Sequence, residues 1–511
     1  IKNYSIGLSR MHKGNIFLSK SDYIKGLQCE KSLWFKYYEK HLRPEIDETM
    51  QAKFESGNEI NDLARKYFPQ GINAQEEYFD IQKSITSTKD LIKQNNQIIF
   101  EATAQIQSDK THARIDILRK NQNGDGWDLI EVKGSTKIKP SHLNDLSFQY
   151  HIFSEAGYKI DSCLLMLINS DYVLDGELDI NQLFKFEDVT QEILERQDKV
   201  KLEKQNLLEV LLNHKEPEVK IGAQCFNKDG HHPECDFKNH CFKDVSAYSI
   251  FNICHRNNTA ENIIDDLNSY DINDIDVSNY PKGIKELDII CYQENKTHLD
   301  KSKIKQWIDQ LEYPLYFLDY ETISSPIPIF NNSRPYQHIP FQFSLHIQAE
   351  EGGDLQHFEF LHKETSDPRE SLIQNLIQLL KTEGSIIVYH ESFEKSKNKE
   401  LARDFPQYAA DLEAINNRIV DLEMPFKKKY IYSPKQQSKT SIKKVLPAFT
   451  DLNYDNMEIA NGGQAMDLYL AFIKGYKVRN EKLFQDLLDY CQLDTYAMVI
   501  LLHKMMKLSQ K

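Results

Sequence analysis

Apolar positions recur along this chain at changing periods, and the changes mark out its segments. Residues 17–70 carry apolar side chains at helical spacing. In LSKSDYIKGLQCEKSLWFKYY, Ser19 or Ser21 stands where an N-cap is expected. The period then shortens. IIFEATAQI (98–106), ARIDILRK (113–120) and WDLIEVKG (127–134) alternate or cluster apolar residues over strand lengths, and GDG at 124–126 predicts a turn. A helix is expected over about 141–156 and a long charged helical segment over 188–214. The cysteine-rich stretch 225–241 closes this region. Residues 245–308 are weaker in pattern (NNTAENIIDDLNSYDINDIDV) and predict a connector of small helices and tight turns. Near Tyr313 a second unit begins. YPLYFLDYETI and GSIIVYHESF look like buried strands, and DLLDYCQLDTYAMVILLHKMM is a strongly amphipathic helix. The expectation is an α/β protein with an extension over 1–16, a first domain over 17–244, a connector over 245–308 and a second domain over 309–511.

Length supports that division, since 511 residues exceed one ordinary core. No apolar run approaches the roughly 20 residues of a membrane helix. IKNYSIGLSRMHKGN has no apolar signal core, and Met11 is a plausible start, so a cytoplasmic location is expected. The net charge of −14, from 63 basic and 77 acidic residues, argues against binding nucleic acid through bulk positive charge. It leaves room for local basic clusters, of which KIKP (137–140), EKSKNKE (394–400) and FKKKY (426–430) are examples. Eight cysteines in a reducing compartment point to metal binding ahead of disulfides.

The first candidate chemistry lies in the strands. ARIDIL places Asp116 between apolar neighbours, and LIEVKG places Glu131 and Lys133 two residues apart. On a strand those two share a face, with Ile130 and Val132 turned to the core. A hairpin through GDG brings Asp116 beside them. Two carboxylates on adjoining strands suit Mg²⁺ or Mn²⁺, and the lysine can stabilise developing charge. Glu101 on the preceding strand, and Asp145, Gln149 and Tyr150 on the following helix, add polar groups. Alone, a D…ExK pattern is equally a surface hairpin with an ion pair. Together these residues resemble the RecB-like branch of the PD-(D/E)XK nucleases. The resemblance implies that Asp116 and Glu131 are metal ligands, that Lys133 is catalytic and that Gln149 is the helical glutamine. Two departures stand out. Asn61, in ESGNEINDLAR (55–65), occupies the place of the family's histidine, and Tyr150 is adjacent to the glutamine rather than a turn beyond it.

Cys225, Cys235 and Cys241 fall within CFNKDGHHPECDFKNHC, and Cys29 lies far upstream. His231, His232 and His240 keep zinc open as an alternative. One early and three late cysteines around such a core resemble the iron–sulphur RecB-like nucleases. That implies a structural [4Fe–4S] cluster on Cys29, Cys225, Cys235 and Cys241.

The second candidate chemistry begins at YFLDYETI, where Asp319 and Glu321 again share a strand face. VYHESFEKSKNKELA supplies Glu394 at a helix start, and YCQLDT sets Asp494 four residues after Tyr490 on one helical face. Four acids from three segments can hold two divalent metals. The order resembles the DnaQ-like, DEDD-type 3′–5′ exonucleases of RNase H-like fold. Asp319, Glu321, Glu394 and Asp494 would be metal ligands and Tyr490 the tyrosine of the last motif. Glu394 stands where the family has aspartate. Lys443 and Lys444, in SIKKVLPAF (441–449), could meet phosphate, or Ser441 could simply cap an exposed helix. The whole chain resembles a bacterial family joining an iron–sulphur RecB-like half to a DnaQ-like half. This implies a metal-dependent nuclease acting on nucleic acid, DNA ahead of RNA. The rival expectation is a nucleic-acid-binding scaffold with one or both sites inactive.

Overall fold

The computed structural model describes residues 17–44, 48–74, 80–226, 234–254, 257–280 and 282–510. The expected extension over 1–16, and His231 and His232, lie outside the described residues. The chain is mixed α/β, with strands in mixed sheets. It divides into two compact units. No helix among the described residues is long and apolar enough to cross a membrane.

The first unit holds the described residues through Asn169 together with Asp179–Asp244. Its helices include α1 (Lys20–Gln28), α2 (Glu30–Tyr38), α3 (Glu48–Tyr67), α4 (Ile81–Lys93), α5 (Pro140–Glu155), α6 (Gln197–Leu212) and α7 (Lys238–Cys241). Ser19 starts α1 by a capping box in which its hydroxyl accepts from Asp22 N and the Asp22 carboxylate accepts from Ser19 N. The sheet runs β1 (Ile72–Asn73), β2 (Ile98–Ile106), β3 (Thr111–Lys120), β4 (Trp127–Lys133), β5 (Ile160–Ile168), β6 (Phe184–Asp188), in that spatial order. β2, β3 and β4 are antiparallel, and β5 pairs parallel with β4 after crossing through α5. β4 is therefore an inner strand, and every residue from Trp127 to Val132 is buried. Ile130 and Val132 are buried as expected, and Glu131 on the other face is buried as well. α5 covers the second face, setting Leu146, Phe148 and Ile152 into the core, and Phe148 stacks on Tyr23 of α1 at 4.6 Å.

The second unit holds Ser170–Leu178 and the described residues from Val245 onward. Ser170–Leu178, expected in the first domain, joins it through Leu174, whose N–H donates to Ser333 O (3.0 Å) and whose carbonyl accepts from Asn332 N (2.8 Å). The expected connector is also part of this unit. β7 (His298–Leu299) pairs with β13 (Ile431–Tyr432), and α8 (Lys301–Ile308) puts Ile304 and Trp307 into the core. The main sheet is built from β8 (Leu315–Ile323), β9 (Ile339–Gln348), β10 (Leu355–Leu361), β11 (Ile386–Val388) and β12 (Ile419–Asp421), in the order β10-β9-β8-β11-β12. β9 is antiparallel to both β8 and β10, whereas β11 is parallel to β8 and β12. The turn into β11 needs glycine. Gly384 has φ +86°, and a Cβ there would meet Pro314 O at 2.0 Å. α9 (Glu391–Asp404), α10 (Ile442–Phe449), α11 (Gly462–Ile473) and α12 (Glu481–Gln510) complete the site-bearing elements. α12 buries Leu487, Cys491, Asp494, Met498 and Leu502 on one face, at helical spacing, and packs on β8 and β9.

Candidate metal centres

In the first unit, the register Ile117↔Ile130 sets Asp116 next to Glu131 across two strands. Asp116 Oδ2 accepts from Val132 N at 2.8 Å. Glu131 carries donors on both of its oxygens. Its Oε1 accepts from Lys133 Nζ (2.8 Å) and Lys20 Nζ (2.7 Å), and its Oε2 accepts from Gln149 Nε2 (2.8 Å). Lys133 Nζ also donates to Asp145 Oδ2 at 2.5 Å. Gln149 reaches Glu131 from α5, whereas Tyr150 packs with the apolar core, so adjacency in sequence sends the two side chains to different surroundings. Glu101 has φ +55° and no partner in the β2–β3 register, which passes from Phe100↔Ile117 to Ala102↔Ile115. The register resumes unshifted, so Glu101 stands opposite Asp116 at a point where the ladder is locally interrupted. Arg65 Nη2 donates to Glu101 at 2.8 Å. A cavity of about 790 Å³ lies alongside, lined by Lys20, Asn61, Arg65, Glu101, Arg114 and Asp116 among others.

Burial pushes the Asp116 carboxyl up, and the Glu131 charge beside it adds to the effect, to about 7. Burial would also raise Glu131, but Lys133 and Lys20 overcome it and hold that carboxyl down at about 2. Burial pulls the Lys133 ammonium down, and the carboxylates of Glu131, Asp145 and Asp116 more than offset this. Asp116 and Glu131 thus form a hard oxygen donor pair whose mutual repulsion a cation would relieve, which fits Mg²⁺ or Mn²⁺.

In the second unit, β8 and α12 meet at a tighter group. Asp319, Glu321 and Asp494 each offer a carboxylate oxygen, all within 4.8 Å of one another. Among the described residues, no other group of three or more His, Cys, Asp or Glu side chains meets that spacing. Burial lifts the Asp319 and Glu321 carboxyls well above the carboxylate range, and their neighbours' charges lift them further. Asp494 is raised less, to about 6, because Tyr454, Lys443 and Tyr490 partly offset its burial. Glu394, in the first turn of α9, is buried beside the triad but outside its 4.8 Å spacing. Its Oε2 is buried without a hydrogen-bond partner. An unpaired buried carboxylate oxygen and three crowded acids form a donor set that fits one or more hard divalent ions.

A cavity of about 450 Å³ opens on these groups, lined by Asp319, Glu321, Glu394, Lys443, Tyr490 and Asp494 among others. The Gly462–Gly463 start of α11 lines it too, and a Cβ on Gly462 would lie 3.6 Å from Glu321 Oε2. Lys443 Nζ sits 4.8 Å from the Tyr490 ring centroid and 5.2 Å from that of Tyr454. Lys444 is instead directed towards Gln437 Oε1 at 3.5 Å, and Ser441 takes the N-cap position of α10 without a capping hydrogen bond.

The four expected cluster cysteines are all free. Cys29 sits at the N-cap of α2, Cys225 in a single turn over Ala223–Cys225, and Cys241 ends α7. Cys235 N donates to Cys225 O at 3.3 Å. Burial raises the Cys29, Cys225 and Cys241 thiols, Cys225 to about 12. The Cys235 thiol adds to each of these shifts. Among the described residues, no three of these sulfurs lie within 4.8 Å of one another. Trp34, Phe35 and Phe237 pack around Cys235 and Cys241, and His240 lies edge-on to Phe35.

Residues 316–441 match the family described as "Domain of unknown function (DUF2779)". That span carries Asp319, Glu321 and Glu394 and ends before Tyr490 and Asp494. Over 350 residues the chain is 25% identical to uncharacterized protein UU173 of Ureaplasma parvum, covering 61% of this chain and 47% of that protein. Over 219 residues it is 28% identical to uncharacterized protein MG366 of Mycoplasma genitalium, covering 39% of this chain and 33% of that one. The MG366 homolog of Mycoplasma pneumoniae is 26% identical over the same shares. The chain therefore spans a third to a half of the length of the curated relatives it matches.

Three residues at the centres carry no signal in sequence reasoning. Lys20 reaches Glu131 from 111 positions away. Tyr454 donates to Asp494 Oδ1 at 2.6 Å from a loop 40 residues upstream. His390 stands in the left-handed region, with φ +83°, at the N-cap of α9. Its ring contacts Glu423 Oε2 and Ser392 Oγ, each at 3.0 Å. Such backbone strain at a cavity wall is the kind that functional sites retain.

Proposed function

We propose that this chain hydrolyses phosphodiester bonds of DNA at two metal-dependent centres, a RecB-like one in the first unit and a DnaQ-like one in the second. The observation that carries the reading is the Asp319, Glu321 and Asp494 triad, with unpaired Glu394 beside it, facing a cavity that also holds a lysine. Divalent Mg²⁺ or Mn²⁺, when bound, supplies Lewis acidity and an acidified water. In the second unit Asp319, Glu321 and Asp494 would hold the ion and Glu394 would extend the donor set. Tyr454 fixes Asp494, Tyr490 stands where it can orient water, and the Lys443 ammonium offsets charge on a phosphate. In the first unit Asp116 and Glu131 would be the ligands, Gln149 orients Glu131, and Lys133 stabilises developing charge.

Cys29, Cys225, Cys235 and Cys241 would hold a structural [4Fe–4S] cluster. One zinc ion draws its ligands onto a single centre, whereas each thiolate of a cubane binds a different iron. The spacing of one early and three late cysteines in the sequence supports the cubane. A brown protein with iron and labile sulphide after anaerobic purification supports it. A colourless protein with stoichiometric zinc replaces it.

The test is a cleavage panel with Mg²⁺ and Mn²⁺ on single- and double-stranded DNA and RNA. Lys133→Ala and Asp319→Ala should each remove one set of products by roughly a hundredfold, and together remove all cleavage. No metal-dependent product from the parent chain sinks the proposal. A second reading, a nucleic-acid-binding scaffold, is favoured by the two lysines held on one oxygen of Glu131 and by Asn61 and Glu394. Binding without any product from either centre would support it.

A further inference from the structure

Glu131 Oε1 carries two ammonium groups at once, Lys133 at 2.8 Å and Lys20 at 2.7 Å. Its Oε2 is taken by Gln149, and Asp116 Oδ2 by a backbone N–H. A cation that binds both carboxylates therefore competes with these donors for Glu131, and the two ammonium groups there repel it. The three donors on Glu131 are not equally held. Gln149 is fully buried and also donates to Arg114 O at 3.0 Å. Lys133 is anchored a second time, on Asp145. Lys20 comes from the first turn of α1 on the cavity wall, and its side chain is the more exposed of the two lysines, 27% against 19%.

Lys20 Nζ stands among the Glu131, Asp145 and Asp116 carboxyls with Lys133 beside it, on a cavity that Arg65, Glu101 and Arg114 also line. A divalent cation at Asp116 and Glu131 would repel both ammonium groups, and one released from Glu131 would stand in the cavity that a phosphodiester anion enters.

We infer that Lys20 is a built-in competitor for the metal at the first centre, yielding Glu131 Oε1 to a divalent cation and passing to the phosphodiester. The inference rests on the reading of Asp116 and Glu131 as metal ligands. It makes metal and phosphodiester bind cooperatively, because each favours the arrangement the other needs.

The experiment is a Mn²⁺ titration by calorimetry on the full chain. Asp319→Asn is present throughout to weaken the second centre, and Asp116→Asn identifies the first-centre signal. Lys20→Met should bind Mn²⁺ roughly tenfold more tightly than the parent, and Lys20→Arg should bind like the parent. Dimethyl phosphate, a simple phosphodiester anion, should tighten Mn²⁺ binding in the parent, and this gain should disappear in Lys20→Met. Equal or weaker Mn²⁺ binding by Lys20→Met, with a signal that Asp116→Asn still removes, overturns the inference and leaves the first centre standing. Absence of any Asp116-dependent Mn²⁺ signal overturns both.

Discussion

Asp116 and Asp494 both remain partly protonated near neutral pH, since burial raises them to about 7 and about 6. Their unfolded counterparts ionise near pH 4. Stability contributed by such raised carboxyls is fully present below the ordinary carboxylate range and is lost as pH rises through the folded values. The window is therefore about pH 4 to 7. Asp116→Asn should make the first unit more stable than the parent at pH 8, by on the order of 4 kcal/mol, and equal to it at pH 4. Urea midpoints at the two pH values check this, and an equal effect at both would contradict it. At this scale sequence reading worked where chemistry is local to one strand. Asp319 and Glu321, two apart on β8, are read directly from YFLDYETI. It failed for Lys20 and Tyr454, because nothing near either residue in the chain marks its distant partner.

At the scale of elements, periodicity was legible where one face of an element is exposed. The amphipathic run 486–506 lies within α12 and buries one face as expected. The burial of Glu131 on β4 is not legible in the segment, because the strand's inner position and the cover supplied by α5 are properties of the sheet. The approach into β11 shows how little freedom such an element has. Gly384→Ala places a Cβ 2.0 Å from Pro314 O at φ +86°, a collision with backbone that a rotamer change cannot relieve. It should destabilise the second unit by about 3 kcal/mol or more. The loss should appear in thermal unfolding of that unit, and a variant as stable as the parent would show that β11 can shift away from Pro314.

At the scale of the molecule, the chain has two units, and residues 170–178 leave the first range to join the second. Two separate unfolding transitions are expected. Cys225→Ser should lower the first-unit transition and the iron content of anaerobically purified protein while leaving the second-unit transition in place. Iron content equal to the parent would count against the cysteine assignment. The boundary near Asp244 was readable from composition, whereas the excursion of Ser170–Leu178 was not. Its attachment depends on backbone hydrogen bonds of Leu174 to Asn332 and Ser333, groups that every residue possesses and no composition reveals.

The sequence by itself determined the α/β character, the strands bearing Asp116, Glu131, Asp319 and Glu321, and the helix bearing Tyr490 and Asp494. Period and spacing are enough for these, because the partners lie within one element. Tertiary structure alone decided that Asp494 closes on the β8 acids, that Glu394 stops short of them, and that Lys20 shares an oxygen of Glu131 with Lys133. These outcomes depend on how separate elements pack, and a side chain's charge environment is set by what reaches it through space rather than by its neighbours along the chain.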